Sequence, residues 1–233
     1  MKDNRTPLVS VIVPVFNEEE IIGVTLERTL QLRGKLNLEV IVVDDGSTDQ
    51  TREIVKDFED VNLICHEKNC GKGGAIVTGM LSSRGDIIII QDADLEYLPE
   101  DIPKLIDPIL QGRADFVFGS RFLGTIKEMS RSHRVGNMIL SLAARLLYNA
   151  PITDVMTGHK AFSRRSLKTV KLSERGFGVE VELTAKFLGN GWKLAEVPIS
   201  YVYRNKGRSK ITYIDGLKCL VKLLKLRISP SAR

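Results

Sequence analysis

One short run constrains the fold of this chain most strongly, because four isoleucines at 87–90 lead into three carboxylates, Asp92, Asp94 and Glu96. A run of β-branched apolar residues predicts a strand buried on both faces, which is typical of a parallel sheet. Open parallel sheets bind ligands beyond the carboxyl ends of their strands. Carboxylates at such an end predict a site for a divalent cation such as Mg²⁺ or Mn²⁺, since these ions prefer oxygen ligands. The alternative is a solvated acidic turn after the strand.

Two further strand-like runs favour the metal site. They cover residues 8–13 and 38–43, and the residues that follow them include Pro14, Phe16, Glu18, Asp44 and Asp45. Because parallel strands present their carboxyl ends at one edge of a sheet, we expect these side chains to converge with Asp92 and Asp94. Turn chemistry alone does not explain three such strand ends.

Strands and helices alternate through the first half of the chain. The predicted elements are strand 8–13, helix 18–32, strand 38–43, helix 49–58, strand 61–65, helix 73–83, strand 86–90, helix 99–111 and strand 114–118. This alternation predicts parallel βαβ units, and so an α/β fold with a mostly parallel central sheet flanked by helices. The second half is less regular, with helices predicted at 135–148 and 180–188 and a strand at 192–197.

Charge divides the chain into two unlike halves. Residues 1–119 carry 12 Lys and Arg against 22 Asp and Glu, whereas residues 120–233 carry 22 against 7. The net charge of +5 would be compatible with nucleic acid, but the acidic half would repel a phosphate backbone, so we expect no nucleic-acid partner. The basic half predicts an anionic ligand, such as a substrate phosphate or an anionic membrane surface. Three cysteines lack metal-ligand spacing, and no histidine is assigned to a site.

The last predicted helix is amphipathic. Over residues 213–228, Leu217, Leu220, Val221 and Leu224 share one face, while Lys218, Lys222 and Lys225 line another. Such a helix either docks on the core of the protein or lies on an anionic lipid surface, and both alternatives stay open. A basic loop at 127–134 and a cationic stretch at 204–210 are further candidates for anion contacts.

A glycine-rich segment at 69–75 opens a predicted helix and includes Lys72 and Gly73, which suits close approach of the backbone to phosphate. It lacks Walker A spacing, and no Gly-x-Gly-x-x-Gly follows the first strand. Further motifs lie at 13–18, 44–49, 92–94, 119–122, 157–162, 178–182 and 196–199, followed by Arg204, Ser209 and Lys210. In this order, the set resembles the family 2 inverting glycosyltransferases of the GT-A fold. Within them it resembles the polyprenyl-phosphate branch, which contains dolichyl-phosphate mannose synthase and dolichyl-phosphate glucosyltransferase.

The resemblance implies roles for individual residues. Those implied to bind a nucleotide-sugar donor are Pro14, Phe16, Glu18, Asp44, Asp45, Lys72, Gly73 and Asp92. Asp94 and Glu96 would hold Mg²⁺ or Mn²⁺ against the donor diphosphate, where many family members have Gln in place of Glu96. The cations implied to gather the phosphates of donor and acceptor are Arg121, Arg131, Arg134, Arg204 and Lys210. Of all these residues, Asp94, Arg121, Arg204 and Lys210 would take part in catalysis.

The implied reaction transfers a hexose, with inversion, from GDP-mannose or UDP-glucose to dolichyl or another polyprenyl phosphate; residues 71–74 favour the glucosyl subgroup. An acceptor phosphate is already an anion near neutral pH, so it needs positioning cations more than a general base. The alternatives are a transferase to a saccharide hydroxyl and a non-catalytic, membrane-associated subunit that binds nucleotide sugars.

We expect a GT-A domain over residues 1–212, with a nucleotide-sugar and metal half at 1–119 and an acceptor half at 120–212. A C-terminal amphipathic helix and tail would follow at 213–233. No window is apolar enough to span a membrane. We therefore expect a cytoplasmic protein, peripheral on the cytoplasmic face of a membrane, with a small membrane protein as a further candidate partner.

Overall fold

The computed structural model describes residues 6–176, 178–203 and 213–228. Its strands are β1 (Leu8–Val15), β2 (Asn37–Asp44), β3 (Val61–Cys65), β4 (Ile87–Ile90), β5 (Phe116–Lys127), β6 (Lys160–Ser163) and β7 (Leu194–Val202). Its α-helices are α1 (Ile22–Leu30), α2 (Thr51–Lys56), α3 (Lys72–Ser82), α4 (Ile102–Leu110), α5 (Arg131–Tyr148), α6 (Arg164–Leu167), α7 (Val179–Gly189) and α8 (Tyr213–Ile228). The alternation predicted for the first half is confirmed. Helix α1 is shorter than predicted, because the backbone from Asn17 to Ile21 forms a turn and Gln31–Gly34 is a 3₁₀ helix.

Within the described residues, seven strands form one sheet in the order β3-β2-β1-β4-β6-β5-β7. All neighbouring pairs are parallel except those of β6, which runs antiparallel to both β4 and β5. The register pairs Ile12 with Ile90 and Val15 with Asp44, so β1, β2 and β4 end at the same edge. This geometry explains why the acidic strand ends converge, and it confirms the predicted α/β fold with a mostly parallel sheet.

The sequence pattern does not predict β6, nor the part of β5 that extends beyond residue 118. Strand β6 is only four residues long and begins with a lysine, Lys160, so no apolar run marks it. The basic stretch at 127–134 is not a loop as predicted, since Lys127 ends β5 and Arg131 begins α5. The side chain of Ser130 caps α5 by accepting the His133 N–H at 3.2 Å.

Helices cover both faces of the sheet, and each face has its own apolar core. One core packs α1 and α4 against β1, β2 and β4. The other packs α3 and α7 against the opposite face, where the Phe187 ring stacks on Phe116 at 5.0 Å and on Phe162 at 4.8 Å between ring centroids. Burial on both faces is the reason that β4 consists of isoleucine alone.

Helix α8 packs against α5 and α7 and buries Cys219 and Leu223. One face of this helix therefore docks on the protein, as the first alternative predicts, while other apolar side chains are exposed and the lipid-surface alternative stays a prediction. The exposed apolar side chains of α8 are Ile214, Leu217, Val221, Leu224 and Ile228. No helix in the described ranges is long and apolar enough to cross a membrane.

Candidate functional site

The ends of β1, β2 and β4 meet the start of α3 around one pocket. Its lining residues are Pro14, Val15, Phe16, Glu18, Asp45, Asn69, Gly71, Lys72, Ala75, Asp92, Ala93 and Asp94. Seven of the predicted donor and metal residues lie in this lining: Pro14, Phe16, Glu18, Asp45, Lys72, Asp92 and Asp94. Residues that are far apart in sequence thus come together where the parallel strands end.

The turn after β4 holds the acidic residues in a fixed arrangement. The buried Gln91 side chain donates to the carbonyl oxygens of Asp92 at 3.0 Å and Tyr97 at 2.8 Å, which ties the two ends of the turn together. Between them, Leu95 has a φ of 58°, a left-handed conformation that is uncommon for a residue with a side chain. The Glu96 N–H donates to Asp94 Oδ1 at 3.0 Å, which holds the Asp94 carboxylate against the backbone of the turn.

Asp94 lies in an environment that opposes its negative charge. Burial, followed by the charges of Asp92 and Glu96, raises the pKa of Asp94 to about 7. Like charges and desolvation both favour the protonated form of a carboxyl group. A bound dication would reverse this effect, and the oxygen donor set of Asp94 and Glu96 fits a hard cation such as Mg²⁺ or Mn²⁺.

Asp92 is paired with a protein cation. Lys72 Nζ lies 2.7 Å from Asp92 Oδ1 and 3.1 Å from Glu180 Oε1 at the start of α7. Glu180 also forms a fully buried ion pair with Lys160 of β6. Burial opposes the charge of Lys72, but Asp92 and Glu180 outweigh it and raise the pKa of Lys72. Gly158 leaves room for the pair, because a Cβ there would collide with the Asp92 carboxylate.

The adjacent aspartates Asp44 and Asp45 have different surroundings. Asp44 is fully buried, forms an ion pair with Arg52 and accepts the Ser47 N–H, and it does not line the pocket. Asp45 lines the pocket and accepts the backbone N–H groups of Cys70 and Gly71 at 2.8 and 2.7 Å. The nucleoside contact predicted for both residues is therefore available to Asp45 but not to Asp44, whose carboxylate is sequestered.

His66, which the sequence motifs assign to no site, lies behind the pocket lining and contacts the lining residue Asp45. Its Nδ1 lies 2.7 Å from Asp45 Oδ1, and its Nε2 lies 2.9 Å from Thr78 Oγ1 on α3. Together with Asp45 and Cys70 it forms a cluster of three potential ligand side chains. No local motif marks His66. Its contact with Asp45, 21 residues earlier and just after the end of β2, becomes visible only in the structure.

A second network, made of a hydrogen bond and aromatic contacts, holds the Glu96 side chain. The Tyr201 hydroxyl donates to Glu96 Oε2 at 2.8 Å, and the Tyr201 ring packs on Tyr97 and lies under the Arg121 guanidinium. Arg121 is buried and forms two hydrogen bonds of 2.7 Å with the Asp154 carboxylate. A buried carboxylate thus holds the guanidinium in place, and the prediction that Arg121 gathers a phosphate stays a prediction.

The remaining predicted residues lie away from the pocket lining or outside the described residues. Gly73 lies one residue inside α3, and its N–H donates to the Arg175 carbonyl at 2.7 Å. The backbone of residues 174–175 passes so close that a Cβ on Gly73 would collide with it. Arg131 and Arg134 are exposed in the first turn of α5. Arg204 and Lys210 fall outside the described residues.

A mostly parallel α/β sheet with a pocket and an acidic turn at the carboxyl ends of its strands fits the GT-A class of glycosyltransferases. A family model, "Glycosyl transferase family 2", matches residues 10–171. The chain belongs to this family, as the motifs predicted, and it is a glycosyltransferase.

Relatives with named activities are similar over nearly the whole chain. A UDP-N-acetylglucosamine–dolichyl-phosphate N-acetylglucosaminyltransferase from Methanococcus voltae is 33% identical over 95% of this chain and 96% of its own length. A dolichol-phosphate mannosyltransferase from Mycosarcoma maydis is 32% identical over 96% of this chain and 80% of its own length. These two relatives are named for different sugars, so similarity to them leaves the sugar donor of this chain open.

Solved structures confirm the fold. The glucosyl-3-phosphoglycerate synthase from Mycobacterium tuberculosis, in complex with Mn²⁺, UDP and glucosyl-3-phosphoglycerate, matches with a TM-score of 0.72. It is 24% identical, and the match covers 95% of this chain and 80% of that one. At this identity the similarity supports the GT-A fold alone.

Proposed function

We propose that the protein transfers one hexose or N-acetylhexosamine from a nucleotide sugar to a polyprenyl phosphate, with inversion at the anomeric carbon. The observation that carries this proposal is the pocket itself, in which Asp45 lines one part and Lys72, Asp92 and Asp94 line another. The first part offers hydrogen-bond partners for a nucleoside. The second offers charges for a diphosphate and its metal ion.

The donor half of the pocket combines an apolar surface with polar groups. Phe16 presents a partly exposed ring on which a base can stack, next to Pro14 and Asp45. The Lys72 ammonium, held in place by Asp92 and Glu180, lies where it would stabilise negative charge on the donor.

Asp94 and Glu96 would hold Mg²⁺ or Mn²⁺ beside the donor diphosphate. When bound, such an ion acts as a Lewis acid that stabilises the departing nucleoside diphosphate. The turn fixes Asp94 through the Glu96 N–H, and the Tyr201 hydroxyl orients Glu96. Because hydrogen bonds hold both carboxylates, little reorganisation would be needed when charge develops on the leaving group.

The acceptor half would supply cations and no base. A polyprenyl phosphate is an anion near neutral pH, so its oxygen can attack without prior deprotonation. The exposed Arg131 and Arg134 on α5, with Arg204 and Lys210, are the candidates to gather that phosphate. Arg121 would act indirectly, by supporting the Tyr97 and Tyr201 rings behind the metal ligands.

A lipid-bound acceptor requires contact with a membrane surface, and helices α5 and α8 provide an apolar face for it. On α5, five apolar side chains that are more than half exposed recur at helical spacing: Val135, Met138, Ile139, Leu142 and Leu146. Helix α5 packs against α8, which has exposed apolar side chains of its own, and the exposed cations Arg131, Arg134, Lys218 and Lys225 lie on the same two helices. This combination favours an anionic lipid surface, on which the protein would be peripheral.

The membrane contact is tested by sedimentation with anionic liposomes. Truncation before residue 213 would uncover the buried contacts of α8, so point variants are preferable. We expect Leu142→Glu and Val221→Glu each to lower the bound fraction severalfold. Leu81→Glu, an exposed leucine on α3, is the matched control. Equal pelleting of all variants would exclude this face as the contact.

The reaction is tested by offering labelled GDP-mannose, UDP-glucose and UDP-N-acetylglucosamine in parallel, with dolichyl phosphate in detergent and Mn²⁺. We expect label in the lipid phase from one donor, and loss of transfer in Asp94→Asn. The exposed Asp107→Asn on α4 should transfer normally. Label delivered to a saccharide and none to lipid would reject the proposed acceptor. Donor binding without any turnover would instead support a non-catalytic subunit.

A further inference from the structure

The hydrogen bonds already made by Asp45 limit which base this pocket can accept. An ionised carboxylate has about four acceptor positions on its two oxygens. Among the described residues, three groups donate to Asp45: His66 Nδ1 and the Cys70 N–H reach Oδ1, and the Gly71 N–H reaches Oδ2, at 2.7 to 2.8 Å. One acceptor position therefore remains, and it belongs to Oδ2.

His66 is fixed as a donor in this arrangement. An ionised carboxylate has no hydrogen to give, so the Nδ1 of His66 must carry the hydrogen that joins it to Asp45 Oδ1. In the tautomer with its hydrogen on Nδ1, Nε2 is an acceptor for the Thr78 hydroxyl, which lies 2.9 Å away. Thr78 lies on α3, which also carries Lys72, so contacts to Asp45 and to α3 hold the ring on both sides. His66 thus occupies a position on Oδ1 that a base would otherwise use.

Bases differ in the number of donors on the edge that would face Asp45. Uracil presents a single N–H between two carbonyl oxygens, whereas guanine presents an N–H beside an amino group, and these need two neighbouring acceptors. Asn69 also lines the pocket, and its Oδ1 already accepts the Gly71 N–H at 3.1 Å, so its amide N–H₂ can donate to a uracil carbonyl. Stacking on Phe16 would serve either base, so discrimination depends on this edge.

We infer that the nucleotide is a uridine diphosphate sugar and that His66 sets this preference by occupying the second acceptor position of Asp45 Oδ1. The inference rests on the proposed function and narrows its donor class. Guanine in the same position would leave one donor buried without a partner. A donor left unpaired in a buried site costs about 5- to 150-fold in affinity.

The test is calorimetric titration of the full chain with UDP, GDP and inosine diphosphate in the presence of Mn²⁺. Inosine diphosphate has the bulk of GDP but only one donor on the relevant edge, so it separates hydrogen-bond count from ring size. We expect UDP to bind at least tenfold more tightly than GDP, and inosine diphosphate to bind at least fivefold more tightly than GDP. GDP binding as tightly as UDP, or inosine diphosphate binding as weakly as GDP, would overturn the inference.

The variant His66→Leu tests the cause. Removing the imidazole returns an acceptor position to Asp45 Oδ1, so the preference for UDP over GDP should shrink severalfold. His133→Leu on α5 is the matched control and should keep the wild-type preference. An unchanged preference in His66→Leu would reject His66 as the determinant. Failure of all three nucleotides to bind the wild-type chain would instead overturn the proposed donor pocket.

Discussion

Tyr201 offers the sharpest test of how the candidate metal site is built. Its hydroxyl donates to Glu96 Oε2 at 2.8 Å across 105 residues of sequence. Burial, followed by the negative charge of Glu96, raises the pKa of Tyr201, so the hydroxyl remains a donor at every physiological pH. The variant Tyr201→Phe removes this hydrogen bond and leaves the ring. The ring contacts, at 5.6 Å to Tyr97 between centroids and 5.3 Å to the Arg121 guanidinium carbon, should persist.

The expected magnitude follows from the hydrogen bond that is lost. A hydrogen bond to a charged group contributes about 1.5–3 kcal/mol, which corresponds to about 10- to 150-fold in a binding constant. Loss of a group that orients a metal ligand typically weakens metal binding by about 10- to 100-fold. Since Glu96 is one of only two ligands proposed from the chain, we expect Mn²⁺ affinity in Tyr201→Phe to fall by about 10- to 100-fold.

Mn²⁺ affinity is measured from the electron paramagnetic resonance signal of the free ion during titration, with and without UDP. The control variant Tyr203→Phe makes the same chemical change two residues away. The Tyr203 ring is partly buried against the core that packs α1 and α4 on the sheet, so this variant should bind Mn²⁺ as the wild type does. Thermal unfolding of both variants shows whether the fold is kept. Wild-type Mn²⁺ affinity in a folded Tyr201→Phe variant would refute the assignment of Tyr201 as the residue that orients Glu96.

Three further outcomes are expected. Lys160→Met leaves Glu180 with one fewer cation in a buried site, and it should cost about 3–5 kcal/mol of unfolding free energy by urea denaturation. The double variant Lys160→Met with Glu180→Gln should have a higher free energy of unfolding than Lys160→Met alone, although it need not reach the wild-type value. Gly158→Ala places a Cβ against Asp92, and it should weaken UDP binding at least tenfold by calorimetry with little change in melting temperature. Because the pKa of Asp94 is raised to about 7, protons compete with the metal, and Mn²⁺ affinity should fall about tenfold per pH unit below about 7 and level off above it. The metal-free protein should lose stability as pH rises from about 4 to about 7, since only its folded state retains that proton; flat profiles would contradict this assignment.

Local sequence pattern was sufficient to predict the sheet edge and most of the pocket. The runs at 8–13, 38–43 and 87–90 are apolar because β1, β2 and β4 are buried on both faces, and parallel pairing then requires their acidic ends to meet. Strand β6 escaped prediction because its buried lysine, Lys160, is neutralised by Glu180, which lies 20 residues further along the chain. A lysine within a four-residue segment predicts a loop, and only its ion pair with Glu180 explains its burial in a strand.

The surroundings of two predicted site residues depend in the same way on partners that are distant in sequence. Arg121 looks like a phosphate ligand in a basic segment, but its partner Asp154 lies 33 residues away and occupies the guanidinium. Asp44 and Asp45 are adjacent and of the same type in the sequence. In the structure, Arg52 of α2 pairs with Asp44, whereas Asp45 accepts the Gly71 N–H just before α3 and lines the pocket. Charge type and spacing predict which residues reach an edge. Only tertiary pairing decides which of them remain available to a ligand.

That pairing also indicates how the acidic edge of the sheet would accommodate the proposed nucleotide and metal ion. Two backbone N–H groups, from Cys70 and Gly71, donate to Asp45 and fix its carboxylate where it lines the pocket. Lys72 neutralises Asp92, which lowers the repulsion that a diphosphate would meet. Asp94 is different, because burial, followed by the charges of Asp92 and Glu96, raises its pKa to about 7. A proton or a cation would offset the negative charge that this environment disfavours. Metal binding at Asp94 would therefore prepare this edge for a nucleoside diphosphate.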